Sequence, residues 1–254
     1  RIPSTFTFVA QFSFFLILQL SVSSGMWIRA AQIGRDRFKY LAILALTVLV
    51  SLLSGARIFF VLIPFYFLVL GLLVGWAQFS WKPLISFAIA IFILAKLLGT
   101  AVTGIINPMV SLASDYLFSV QPGEFIRALN ITLVGLGPGM ASQPARYSFA
   151  DVSRAQISVI ENLYGKTVLE LGVPGLVILL TLFAWILRNH YLLLVRLKDQ
   201  GLRAVSASLL AFFGLVVAYG WKGNILDFDP LNVYFWLFAG IAMKLPRLED
   251  RQLS

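Results

Sequence analysis

Long apolar runs alternate with short polar joints along the whole chain, and the runs have the length of membrane spans. A bilayer-crossing helix needs roughly 20 predominantly apolar residues. Seven segments meet or approach that length: about 5–28, 40–54, 58–77, 83–103, 163–187, 204–220 and 230–245. The pattern predicts an all-α, polytopic integral membrane protein with about seven transmembrane helices. The joint "SGAR" (Ser54 to Arg57) is barely a turn, so the second and third spans are expected to form a tight hairpin. In the fifth span, Pro174 sits among Gly172 and Gly175 and predicts a kink.

The joint between the fourth and fifth spans, residues 104–162, is far longer than the rest. Loops beyond about 12–15 residues are uncommon unless functional or disordered. This one does not read as disordered. "NPMVSLASDYLFSV" and "PGEFIRALNITLVG" place apolar residues at helical spacing, which predicts short helices lying on the membrane surface. The Gly- and Pro-rich stretch "GLGPGMASQPARYSFADVSRAQ" follows them.

Composition strengthens the membrane reading. Of 254 residues, 59% are hydrophobic and 12% charged, with mean hydropathy +0.89. A soluble domain has about 25% charged residues. The net charge of +9 comes without a basic stripe interleaved with stacking aromatics, so nucleic acid is not an expected partner. The charge instead orients the chain. Loops 29–39, 78–82, 188–203 and the tail from Lys244 hold twelve of the 20 basic residues. Short loops dense in Lys and Arg stay cytoplasmic, which puts 104–162 on the extracytoplasmic side. With no cysteine, disulfides, thiolate metal sites and thiol catalysis are excluded. The one histidine, His190, falls in the cytoplasmic loop 188–203 and rules out a multi-histidine metal centre. No metal or cofactor is expected. The chain starts at Arg1 and enters an apolar stretch without a basic signal-peptide region. Residues 1–254 therefore read as one transmembrane domain, the C-terminal part of a longer protein.

Polar residues at the outer face carry the candidate chemistry. Arg57 closes the second span in "LLSGARIFF". It either snorkels to lipid headgroups or presents its fork to a phosphate. Arg127, Arg146 and Arg154 lie on the outer loop, where orientation by charge gives no reason for them. Each can pair with Glu124, Asp151 or Glu161; with Arg57 they form a basic rim suited to a lipid-linked diphosphate. Lys96, near the outer end of its span, can reach the same headgroup. "GLGPG" (Gly135 to Gly139) lacks the spacing of a nucleotide-binding loop and reads as a tight turn that lets backbone approach closely. Glu161 and Asn162 stand where the chain re-enters the membrane. Glu161 is either a helix cap or a base aimed into an outward cavity. Tyr164 follows on nearly the same face, and Lys166 and Glu170, spaced i, i+4, are expected to pair.

In this order "LLSGARIFF", "EFIRALNITLVGLGPGM", "ENLYGKTVLELGVPGLVILLTLF" and "DPLNVYFWLFAGI" resemble the C-terminal half of the O-antigen ligase and O-antigen polymerase superfamily. The likeness runs from about residue 40 onward. It implies a bacterial inner-membrane glycosyltransferase, all-helical with a large periplasmic loop, moving glycan from an undecaprenyl diphosphate carrier to an acceptor sugar. It further implies that Arg57 and Arg127 hold the carrier diphosphate. Ligases of the family often carry His-Asn at the start of the post-loop helix, whereas this chain has Glu161-Asn162. Either Glu161 serves as base in a polymerase-like or divergent member, or activity has been lost.

The expected site is therefore Glu161, Arg57 and Arg127 for catalysis, with Arg146, Arg154, Lys96, Asn162 and Tyr164 binding substrate. The competing reading is a non-catalytic transmembrane subunit that packs against other membrane proteins through its aromatic-rich spans. A transporter would call for paired discontinuous helices or a buried ion site, and neither is evident in the sequence.

Overall fold

A computed structural model describes residues 9–32, 37–54, 58–75, 116–141, 160–227 and 230–253. Among the described residues the fold is all-helical. The elements are α1 (Val9–Gln32), α2 (Phe38–Leu53), α3 (Phe59–Val74), α4 (Gln121–Ile131), α5 (Leu163–Arg196), α6 (Gln200–Tyr219), α7 (Leu231–Ala242) and α8 (Leu245–Leu253). A π-helical turn, Tyr116–Val120, leads into α4, and a 3-10 turn, Ile225–Asp227, precedes α7. The expected span at 83–103 and the centre of the "SGAR" joint lie outside the described residues.

Three helices, Gln11–Gln32 within α1, α5 and α6, are long and apolar enough to cross a membrane; α2, α3 and α7 are apolar but shorter. The most apolar, α5, leaves Val177, Ile178, Leu180 and Trp185 exposed. So many large apolar side chains left uncovered along one helix are costly in water and at home in lipid.

The chain forms two compact units. The first comprises Arg1–Trp76, Leu180–Tyr219 and Ile225–Ser254. In it α6 is central: α1 packs along its length, α3 packs beside it, and α2 lies on α1. Phe14, Ile17, Tyr66, Leu70, Phe212, Phe213 and Phe235 are fully enclosed there. Small hydroxyls join the helices through this apolar core. Ser21 Oγ donates to the Ser208 carbonyl, and the Ser24 and Tyr66 hydroxyls meet at 2.7 Å. In lipid such bonds, about 0.6–2 kcal/mol each, add to close packing as a source of helix association.

The expected loop at 188–203 is mostly helix. The stretch "YLLLV" continues the apolar pattern, Leu194 is buried, and α5 runs on to Arg196. Only Leu197 to Asp199 separate it from α6. His190 is not a loop residue: it is fully buried on α5, with Nε2 2.9 Å from Ser206 Oγ. The α6 start is capped by Asp199 Oδ1, which accepts the Leu202 N–H, and Glu249 of α8 holds the turn before it by accepting the Lys198 N–H.

The second unit comprises Ala77–Leu179 and Gly220–Asn224. Its core stripe on α4, Phe125, Ala128, Leu129 and Ile131, packs on Tyr164, Val168, Leu169 and Leu176 of α5. Both stripes repeat every three to four residues, as facing helices require.

Candidate functional site

The mouth of α5 is built from four pieces of the second unit: the α4 start, the loop after it, the α5 start and the turn at 220–224. Asn162 sets the α5 N-terminus. Fully buried, it accepts the Gly165 N–H on Oδ1, which satisfies one of the free amides of the first turn. Its Nδ2 reaches the Gln121 carbonyl and Glu124 Oε2, each at 3.5 Å. Glu124 Oε2 also accepts the Glu161 N–H at 2.9 Å. One α4 carboxylate thus clasps both residues that precede the helix. Of the two roles the sequence leaves open for Glu161, the side-chain cap at Gly165 is made by Asn162, and Glu161 is exposed.

Two acids and two cations of this unit act on one another electrostatically. Burial pushes the Glu124 carboxyl above the ordinary glutamate range, and the nearby Glu161 charge adds to the shift. Amide hydrogen bonds from Glu161 and Asn162, and the Arg127 guanidinium, oppose it without cancelling it. On the other side, the Leu163 N–H donates to the Gly220 carbonyl at 2.9 Å, and Trp221 packs on Phe125 with ring centres 5.7 Å apart. This docking brings half-buried Lys222 into the field of Glu161. Burial lowers the pKa of the Lys222 ammonium, and the Glu161 carboxylate partly restores it.

Below the mouth, α5 is broken. Gly172 has φ 72° and ψ −174°, outside the helical region. Pro174 has no N–H to return to the Glu170 carbonyl. The Gly-rich loop satisfies the groups left open. Leu136 N–H donates to Leu169 O at 2.8 Å, Gly137 N–H to Glu170 O at 3.0 Å, and Val173 N–H to Leu133 O at 2.9 Å. Thr132 Oγ1 starts the loop by accepting the Gly135 N–H at 2.9 Å. The contact requires bare backbone on both sides: a Cβ on Gly135 would lie 2.6 Å from Glu170 O, and one on Gly172 2.4 Å from Val134 C. The close approach expected of "GLGPG" is its observed role. Glu170 also holds the loop, accepting the Ala141 N–H on Oε1 at 3.1 Å, with Lys166 Nζ 3.8 Å away as the i, i+4 spacing predicts.

Of the sequence-predicted site residues, Arg127, Glu161, Asn162 and Tyr164 gather in this unit. Arg57, Lys96, Arg146 and Arg154 lie outside the described residues. Tyr164 is half-buried and contributes to the core beneath the mouth. Sequence reasoning assigned no site role to Glu124, which it treated as an ion-pair partner for the loop arginines, or to Lys222. The one signal for Glu124 was its place in the first turn of α4, where an acid suits the helix dipole. Gln121 was also passed over. It is fully buried, and neither atom of its side-chain amide has a hydrogen-bond partner among the described residues. No protein-family model, curated protein or solved structure matches this chain.

Proposed function

We propose that the chain is a membrane glycosyltransferase of the O-antigen ligase and polymerase type. It would use a polyprenyl diphosphate sugar at the outer face of a bacterial cytoplasmic membrane, with about seven spans and residues 104–162 as the outer loop. The observation that carries the proposal is the mouth of α5, where exposed Glu161 stands beside Glu124, with Arg127 and Lys222 as flanking cations. Transfer of a sugar from a diphosphate needs a base for the acceptor hydroxyl and positive charge for the departing phosphate. In this reading the acceptor oxygen attacks the anomeric carbon and its proton passes to Glu161. The carbon–oxygen bond to the diphosphate breaks, and the electron pair leaves with the phosphate. Arg127 offers a guanidinium to that leaving group, with Arg57 and Arg146 assigned the same role.

The broken helix does not favour transport. In transporters the freed carbonyls of a discontinuous helix face a coupling ion. Here the carbonyls of Leu169 and Glu170 are both taken by amides of the protein's own loop.

The test is an envelope-glycan gel from cells that depend on this chain. Arg127→Ala and Glu161→Gln are each expected to remove the polymer or ligation product while the protein remains in the membrane. Wild-type ladders from either variant would refute the assigned roles. Retention of product by both, with co-purification of a stable partner complex, would instead identify a non-catalytic subunit.

A further inference from the structure

We infer that the end of the first unit where α5 turns into α6, together with α8, is a binding surface for an anionic phospholipid; this does not rest on the glycosyltransferase reading. The surface joins segments distant in the chain. Leu245 of α8 packs with Leu197 and Leu202 on either side of the α5–α6 turn, and Glu249 accepts the N–H groups of both Lys198 and Asp199. Arg247 and Leu248, which lie between these two anchors, are exposed. Arg196, Lys198 and Arg203 of the turn and its flanks are exposed too, as is Lys244 just before α8. From α1, the stem of Arg29 lies against the start of α6: a Cβ on Gly201 would be 2.5 Å from Arg29 Cγ.

The charges gathered here are not balanced within the protein. The described acids at this place are turned to backbone. Asp199 Oδ1 accepts the Leu202 N–H at 2.6 Å, and Glu249 Oε1 holds the amides of the turn. Among the described residues, none of Arg29, Arg196, Lys198, Arg203, Lys244 and Arg247 makes an ion pair. Their counter-charge is left to come from outside. The apolar surface around them selects a lipid as its source. Tyr191 and Val195 are exposed on α5 just before Arg196, Leu237 and Ile241 on α7 just before Lys244, and Leu248 beside Arg247. Each exposed apolar run therefore ends at a cation. A soluble anion satisfies only the cations. A phospholipid lays its acyl chains along the apolar runs and brings its phosphate to the cations at their ends.

The experiment titrates the full chain, purified in neutral detergent, with dioleoyl phosphatidylglycerol and separately with dioleoyl phosphatidylcholine, and counts bound lipid by native mass spectrometry. The first phosphatidylglycerol is expected to bind on the order of 25-fold tighter than phosphatidylcholine, about fivefold for each of two cations on one phosphate. Added salt should shrink that preference. Lys198→Gln combined with Arg247→Gln should remove most of it while phosphatidylcholine binding, the check on folding, stays unchanged. Two variants at Glu249 separate the shape of the surface from its net charge. Glu249→Gln and Glu249→Ala each remove one negative charge, but only Gln keeps an acceptor for the turn. Glu249→Gln is expected to bind phosphatidylglycerol at least as well as wild type, and Glu249→Ala about fivefold more weakly than Glu249→Gln. Equal affinity of the wild type for the two lipids, or full preference in the double cation variant, overturns the inference. So does equal binding by the two Glu249 variants, which would leave bulk charge as the cause. Displacement of phosphatidylglycerol by inorganic phosphate at constant ionic strength would mark a site for a soluble anion and overturn it as well.

Discussion

Substituting Gly172 by Ala addresses the contact that shapes the mouth. The native φ and ψ of Gly172 lie in a region almost closed to side chains, and holding Ala there costs about 1–3 kcal/mol. The new Cβ would also lie 2.5 Å from both Leu133 O and Val134 O. Because these are backbone atoms, no rotamer change relieves the overlap. The loop must withdraw, which gives up the bonds of Leu136, Gly137 and Val173. At about 1 kcal/mol net per hydrogen bond, the total cost of Gly172→Ala is roughly 4–6 kcal/mol. Gly139→Ala is the control. Its φ is +81°, but a Cβ there meets nothing within 4 Å. It carries only the left-handed backbone cost, about 1–2 kcal/mol. Unfolding by SDS titration in mixed micelles, followed by tryptophan fluorescence, measures both. The double variant with Gly135→Ala should cost less than the sum of the two single changes, since both break one contact and only the left-handed backbone cost of Gly135 is added. If Gly172→Ala is no worse than Gly139→Ala, or if the two loop-contact substitutions simply add, the loop is not seated in the break.

Two further outcomes follow from the clasp at the mouth. The folded state raises the proton affinity of Glu124, so it binds that proton more tightly than the unfolded chain. Glu124 therefore lowers stability as pH rises from the ordinary glutamate range, about 4.3, through its raised value, and the penalty is absent below both. Glu124→Gln should flatten that slope in the thermal unfolding midpoint, and an unchanged slope would refute the assignment. Asn162→Ala removes the α5 cap and should cost about 1–2 kcal/mol in the SDS titration. Asn162→Asp keeps the acceptor but sets a further carboxylate against Glu124, so it should recover stability at acid pH only; equal recovery at neutral pH would show that the two side chains do not meet.

Local chemistry was legible in the sequence wherever neighbours along the chain decide the outcome. Apolar runs marked the helices, Pro174 among glycines marked the break, and i, i+4 spacing marked Lys166 with Glu170. Charge counting misled at 188–203. Arg188 and Arg196 read as a loop, but long cationic side chains leave a helix surface as readily as they leave a loop, and the leucines between them continue α5. The site itself was legible only in part. Glu161 and Asn162 stood out beside the helix start. Glu124 lies 37 residues from Glu161 and Lys222 comes from a turn beyond α6, so no periodicity links them. The cap went to Asn162 rather than Glu161 because a carboxamide accepts the Gly165 N–H while donating to Glu124, which an ionised carboxylate cannot do.

The break in α5 also has an order of events built into it. Residues 132–141 emerge from the ribosome before Leu163 does, so the segment that fills the gap is made ahead of the helix that contains it. When α5 arrives, the open carbonyls of Leu169 and Glu170 find their donors already synthesised. A rearranged gene that encoded α5 first would deliver a helix with bare polar backbone to the bilayer, with nothing yet made to cover it.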